Sequence, residues 1–124
     1  MRLDHVQIPM PPGQEDAADV FYCDLLGLPR VPKPESLADR GGRWYSAGGT
    51  QIHLGVDDEC APSPKSHICF VVLDYDRLLQ RLNEAGCSTA VDSRLVEVSR
   101  FYCWDPFGNR IEIQDGRTGN TYEK

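Results

Sequence analysis

Gly49-Thr50-Gln51-Ile52-His53-Leu54 and Gly108-Asn109-Arg110-Ile111-Glu112-Ile113 decide the fold of this chain. Each begins at a glycine turn, passes two polar residues and then alternates from an isoleucine. His53 and Glu112 hold the same place in the two, 59 positions apart. Leu3-Asp4-His5-Val6 and Lys65-Ser66-His67-Ile68 agree, with histidines 62 positions apart in a chain of 124 residues. A helical stretch ending in glycine follows each, at Leu26-Gly27 and Ala85-Gly86. The chain therefore reads as two copies of about 60 residues.

Each copy reads as strand, helix, then three strands. In the first, residues 3–8 alternate as a strand and 15–26 follow as a helix after Pro11-Pro12-Gly13. Pro29, Pro32 and Pro34 enforce a loop or an edge strand. Strands at 43–47 and 51–56 flank the turn Gly48-Gly49. In the second copy 67–73 is a strand, and Asp74 is placed to cap a helix over 75–85. Strands at 88–91, 96–104 and 109–114 complete it. The expected organisation is a single domain over 1–124: module 1 at 1–57, a linker at 57–65, module 2 at 66–115 and a polar tail at 116–124.

Strands alternate faces with period two. Val6 and Ile8 oppose His5 and Gln7. Ile52, Leu54 and Val56 oppose Gln51 and His53. Ile68, Phe70 and Val72 oppose His67, Cys69 and Val71. Ile111 and Ile113 oppose Arg110, Glu112 and Gln114. Each strand thus has one apolar face for a helix and one face carrying a ligand-type residue. The chain has only three histidines, and all lie on that second face at matching places, with Glu112 at the fourth. Imidazole nitrogens and a carboxylate oxygen gathered this way suit a divalent first-row metal with open positions. His5, His67, Glu112 and His53 are the expected metal set. Arg100 and Arg110 are candidates for an anionic substrate, and Trp44 and Tyr102 for the cavity wall.

Composition sets the outer limits. A net charge of −6 argues against nucleic acid and anionic membranes, which call for a basic patch. No apolar run approaches the roughly 20 residues of a membrane span, and the first residues lack the pattern of an export signal. The five cysteines are odd in number and form no C-x-x-C pair, as expected of reduced thiols in a cytoplasmic protein.

These residues resemble the vicinal oxygen chelate superfamily, the glyoxalase, bleomycin-resistance and extradiol-dioxygenase group. The likeness covers nearly the whole chain and rests on Leu3-Asp4-His5-Val6, Phe21-Tyr22-Cys23-Asp24-Leu25-Leu26-Gly27, Gln51-Ile52-His53-Leu54, Ser66-His67-Ile68, and Asp105-Pro106-Phe107-Gly108-Asn109-Arg110-Ile111-Glu112. The resemblance implies an α+β fold: two βαβββ modules whose mixed sheets form an incomplete barrel, with the helices outside. It implies a divalent metal (Fe, Zn, Ni or Mn) on His5, His67 and Glu112, with His53 at a variable fourth place. It also implies a homodimer and a small-molecule substrate chelated through adjacent oxygens, turned over by a lyase, isomerase or ring-cleaving dioxygenase. His53 and Glu112 would be the catalytic residues. The alternative is a drug- or metabolite-binding resistance protein without turnover, and such members usually lack the metal residues. In the glyoxalase I branch a carboxylate or Gln stands where this chain has His53. The fosfomycin-resistance branch carries Thr where it has Gln7.

Overall fold

The computed structural model describes residues 1–118, so the last part of the expected tail lies outside the described residues. The chain forms two compact units. One is Met1–Pro62 with Pro106–Asn109; the other is Ser63–Asp105 with the chain from Arg110 onward. The boundary after Pro62 falls inside the expected linker.

The first unit runs β1 (His5–Met10), α1 (Glu15–Asp19) continuing as a π-helical segment (Val20–Leu25), β2 (Arg30–Val31), a 3-10 helix (Glu35–Arg40), β3 (Arg43–Ala47) and β4 (Thr50–Val56). The second runs β5 (Ile68–Val72), α2 (Tyr75–Glu84), β6 (Thr89–Asp92), β7 (Arg100–Trp104) and β8 (Arg110–Asp115). The sheets have orders β1-β4-β3-β2 and β5-β8-β7-β6. In each, the first strand is parallel to the last and the other pairs are antiparallel. A parallel pair needs a long crossover, and the helix in each module supplies it. The α+β architecture of two βαβββ modules is therefore present.

Burial follows the period-two reading. Tyr45, Ile52 and Leu54 are buried in the first unit with Phe21 and Tyr22, and Tyr22 stacks on Tyr45 at 5.2 Å. In the second, Phe101, Cys103, Ile111 and Ile113 are buried with Tyr75, Leu78 and Leu82 of α2. Across the first sheet, His53 is in register with Gln7 and Trp44, and His5 with Gln51. Across the second, Glu112 is in register with Cys69 and Tyr102, and Gln114 with Arg100. Both polar sets thus share the face opposite the helix.

Four local expectations change. The helix expected over 15–26 leaves the α form at Val20, and the N–H of Leu26 bonds the carbonyl of Phe21, five residues back. The wider turn seats the neighbours Phe21 and Tyr22 side by side in the interior, 4.9 Å apart. The strand expected from 96 begins only at Arg100, because its partner β6 ends at the pair Asp92–Arg100. The proline-rich stretch holds both the two-residue edge strand and the 3-10 helix. Asp74 stands at the N-cap of α2 but its side chain makes no cap bond; it lies 3.6 Å from Arg81. Among the described residues no helix is long and apolar enough to cross a membrane.

Candidate functional site

In the second unit, β8 carries Glu112 inward and the residue just before β5 is His67. Their side chains meet, His67 Nε2 to Glu112 Oε1, at 2.9 Å. The other ring nitrogen, Nδ1, lies 2.8 Å from the carbonyl oxygen of Lys65. A carbonyl only accepts, so Nδ1 carries a proton, and Nε2 is the nitrogen presented to the carboxylate. Two acceptors facing each other would repel. Either a second proton or a metal cation must stand between imidazole and carboxylate.

The rest of Glu112 is tied down. Oε2 accepts from Gln114 Nε2 at 2.7 Å and from Arg100 Nη1 at 3.3 Å. Burial alone would raise the pKa of this carboxyl, which is only 5% exposed. The hydrogen bonds from Gln114, His67 and Arg100 outweigh it and hold the group below its ordinary value. Arg100 also donates to Asp92 at 2.9 Å, and Asp92 is clasped by Arg94. Arg100, expected at the substrate, is thus spent on two carboxylates. Arg110 is placed differently. Its guanidinium lies 3.9 Å over the ring of Tyr102, whose edge faces His67 at 5.7 Å. Its Nη1 donates to the carbonyl of Pro64 at 3.3 Å, and its Nε, like that of Arg100, is buried without a hydrogen-bond partner. Cys69 shares this face. Desolvation of its sulfur, then the Glu112 carboxylate, push the thiol up to about 12, so it stays protonated at neutral pH.

In the first unit three rings stack. His53 lies between His5 (centroids 4.2 Å apart, planes at 10°) and Trp44 (4.0 Å, 6°). His53 Nε2 is 2.8 Å from Gln51 Oε1, and His5 Nδ1 is 2.9 Å from the Asp4 carboxylate. So His53 has its Nε2 proton engaged, while His5, like His67, has Nδ1 engaged and presents Nε2. An imidazole binds an ion in its own plane, about 2.0–2.1 Å from the nitrogen. Nearly parallel rings have lone pairs in separate planes, which do not meet at one ion. As stacked, His5 and His53 cannot both be ligands of the same metal. Burial, and then the neighbouring His5, hold the His53 pKa below its ordinary value, so the ring is a neutral base at neutral pH.

The structure thus pairs His67 with Glu112 and His5 with His53. Among the described residues no group of three or more His, Cys, Asp or Glu is gathered to hold a metal. Gln51 and Gln114 were not singled out from the sequence. Both lie two residues from a candidate on the same strand, where period two puts them on the same face.

Known proteins share this fold over nearly the whole chain. Residues 2–113 match the model of the Glyoxalase/Bleomycin resistance protein/Dioxygenase superfamily. A glyoxalase family protein from Bacillus anthracis is 41% identical, with 93% of this chain and 94% of that one aligned, and superposes with a TM-score of 0.87. A glyoxalase/dioxygenase from Nostoc punctiforme (22% identity, 92% and 90% covered, TM-score 0.75) shares the fold. So does a fosfomycin resistance protein from Listeria monocytogenes (14% identity, 94% and 93% covered, TM-score 0.76). None of the curated proteins compared matches the chain. The chain belongs to the Glyoxalase/Bleomycin resistance protein/Dioxygenase superfamily.

Proposed function

We propose that the protein is a divalent-metal-dependent enzyme acting on a small molecule through two adjacent oxygens, as a glyoxalase-type lyase or isomerase or as an extradiol-type dioxygenase. The observation that carries this reading is the opposition of His67 Nε2 and Glu112 Oε1 at 2.9 Å, with Nδ1 already engaged by Lys65. This is the arrangement that a cation satisfies, and the Lys65 carbonyl accepting from Nδ1 is the usual kind of outer partner of a ligand histidine. His5 has the same arrangement through Asp4. On this reading His5, His67 and Glu112 are the ligands, as the family resemblance implies. Imidazole nitrogen with carboxylate oxygen suits Fe, Zn, Ni or Mn.

The ion, when bound, acts as a Lewis acid that steadies negative charge on the chelated oxygens. The chain does the rest. His53, held by Gln51 and walled by Trp44, accepts and returns a proton at Nδ1. Arg110, laid on Tyr102, offers its guanidinium to an anionic substituent of the substrate.

Elemental analysis of anaerobically purified protein is the test. Stoichiometric iron, with oxygen uptake on a catechol, selects the dioxygenase. Nickel, zinc or manganese, with isomerisation of an aldehyde–thiol adduct or thiol addition to an epoxide, selects the other branch. A metal-loaded protein that turns over none of these is a binding protein. A protein that neither retains nor takes up any of the four metals overturns the reading.

A further inference from the structure

The second sheet gives Glu112 more support than a ligand needs, and the support is one-sided. Oε2 receives both Gln114 Nε2 (2.7 Å) and Arg100 Nη1 (3.3 Å), while Oε1 faces His67. Gln114 sits two residues beyond Glu112 on β8, and Arg100 is its direct partner on β7. The two donors therefore approach the same oxygen from the same end of the side chain. Arg100 is itself held from the far side by Asp92, at 2.9 Å, and is only 15% exposed. Gln114 is buried, at 8% exposure. Burial on this face leaves either donor little room to swing away from the carboxylate.

We infer that Gln114 and Arg100 are positioning residues that lock Glu112, so that it offers a cation one oxygen, Oε1, and cannot leave to act as a base. This rests on the metal-dependent reading above. A ligand confined to one oxygen keeps a coordination position open for the substrate's second oxygen.

The test uses the full chain loaded with Co(II), following its affinity by chelator competition and its visible absorption, which reports coordination number. The variants are Gln114→Leu, Arg100→Gln and, as the conservative control, Arg100→Lys. The lock predicts that Gln114→Leu and Arg100→Gln each weaken Co(II) by about 10–100-fold and lower the visible absorption as Glu112 turns to offer both oxygens. It predicts that Arg100→Lys keeps the parental spectrum. Wild-type affinity and an unaltered spectrum in Arg100→Gln, or in a folded Gln114→Leu, overturn the lock and leave the metal reading standing. Failure of the unmutated protein to bind Co(II) overturns both. If Gln114→Leu does not fold, Arg100→Gln decides alone.

Discussion

His53 and Glu112 occupy the same place in the two sheets, yet their surroundings are opposite in kind. His53 is packed between two flat rings and fastened by one amide. Glu112 is packed among charges, with an imidazole, an amide and a guanidinium on its two oxygens. Stacking and burial favour a neutral group, and the donor ring favours a charged one. The repeat has therefore kept the scaffold and divided the chemistry. One module holds a base that stays neutral, and the other holds an anion that stays ionised. The helix faces show no such division, since both bury aliphatic and aromatic side chains in the same alternation.

The first way to break this comparison is on the faces where the modules agree. Leu54 is 1% exposed and Ile113 is fully buried. Leu54→Ala and Ile113→Ala should each lower the unfolding free energy by about 2–5 kcal/mol, read from urea denaturation. A cost near zero in one module would show that its helix face is not a working core. The second way is on the faces where they differ. Glu112→Gln should weaken metal binding by about 100-fold or more, at or beyond the upper end of what outer partners contribute. His53→Ala should change it by less than about tenfold while abolishing most turnover. Equal losses of metal in both variants would erase the distinction drawn between ligand and base.

How much of this was legible in the sequence depends on the range of the interaction. Period-two alternation places Ile52 and Ile111 on one face and His53 and Glu112 on the other, and the glycine turns set the repeat, so fold and candidate set could be read directly. The stack of His5, His53 and Trp44 needs the register Trp44–His53, which spans two strands and a turn and which composition does not specify. The Asp92–Arg100 pair ends β6 against β7, and nothing in residues 96–99 announces that the ladder stops there. Gln51 and Gln114 were in phase with their partners. A long amide has several rotamers, however, and only the finished sheet selects the one that reaches His53 or Glu112.

The third prediction sharpens the division within the charged face. Arg100 is held by two carboxylates, whereas Arg110 lies on Tyr102 and donates to the Pro64 carbonyl at 3.3 Å. Arg110→Met should raise KM for an anionic substrate by about tenfold with kcat little changed, the loss of one charge-assisted hydrogen bond. A fall in kcat at constant KM would move Arg110 from binding to the reaction itself.

The smallest effect separates how the two modules secure the connection that leads into their third strand. In the second, Asp92 and Arg94 form a clasp at the end of β6. In the first, the Glu15 carboxylate accepts the N–H of Gly42 at 2.9 Å, where the chain enters β3. Gly42 has φ of +85°, and a Cβ there would stand 2.3 Å from the carbonyl oxygen of Leu54, so this anchor point admits only glycine. The bond from Gly42 holds the Glu15 pKa below its ordinary 4.5. A depressed carboxylate contributes stability that is present above its unfolded pKa and lost as pH falls through the folded one. Glu15→Gln should therefore be less stable than the parent near neutrality, by less than about 1 kcal/mol. The gap should close as pH drops below 4.5, read from urea midpoints across that range. A gap that persists in acid would mean that the carboxylate's charge does not secure this loop.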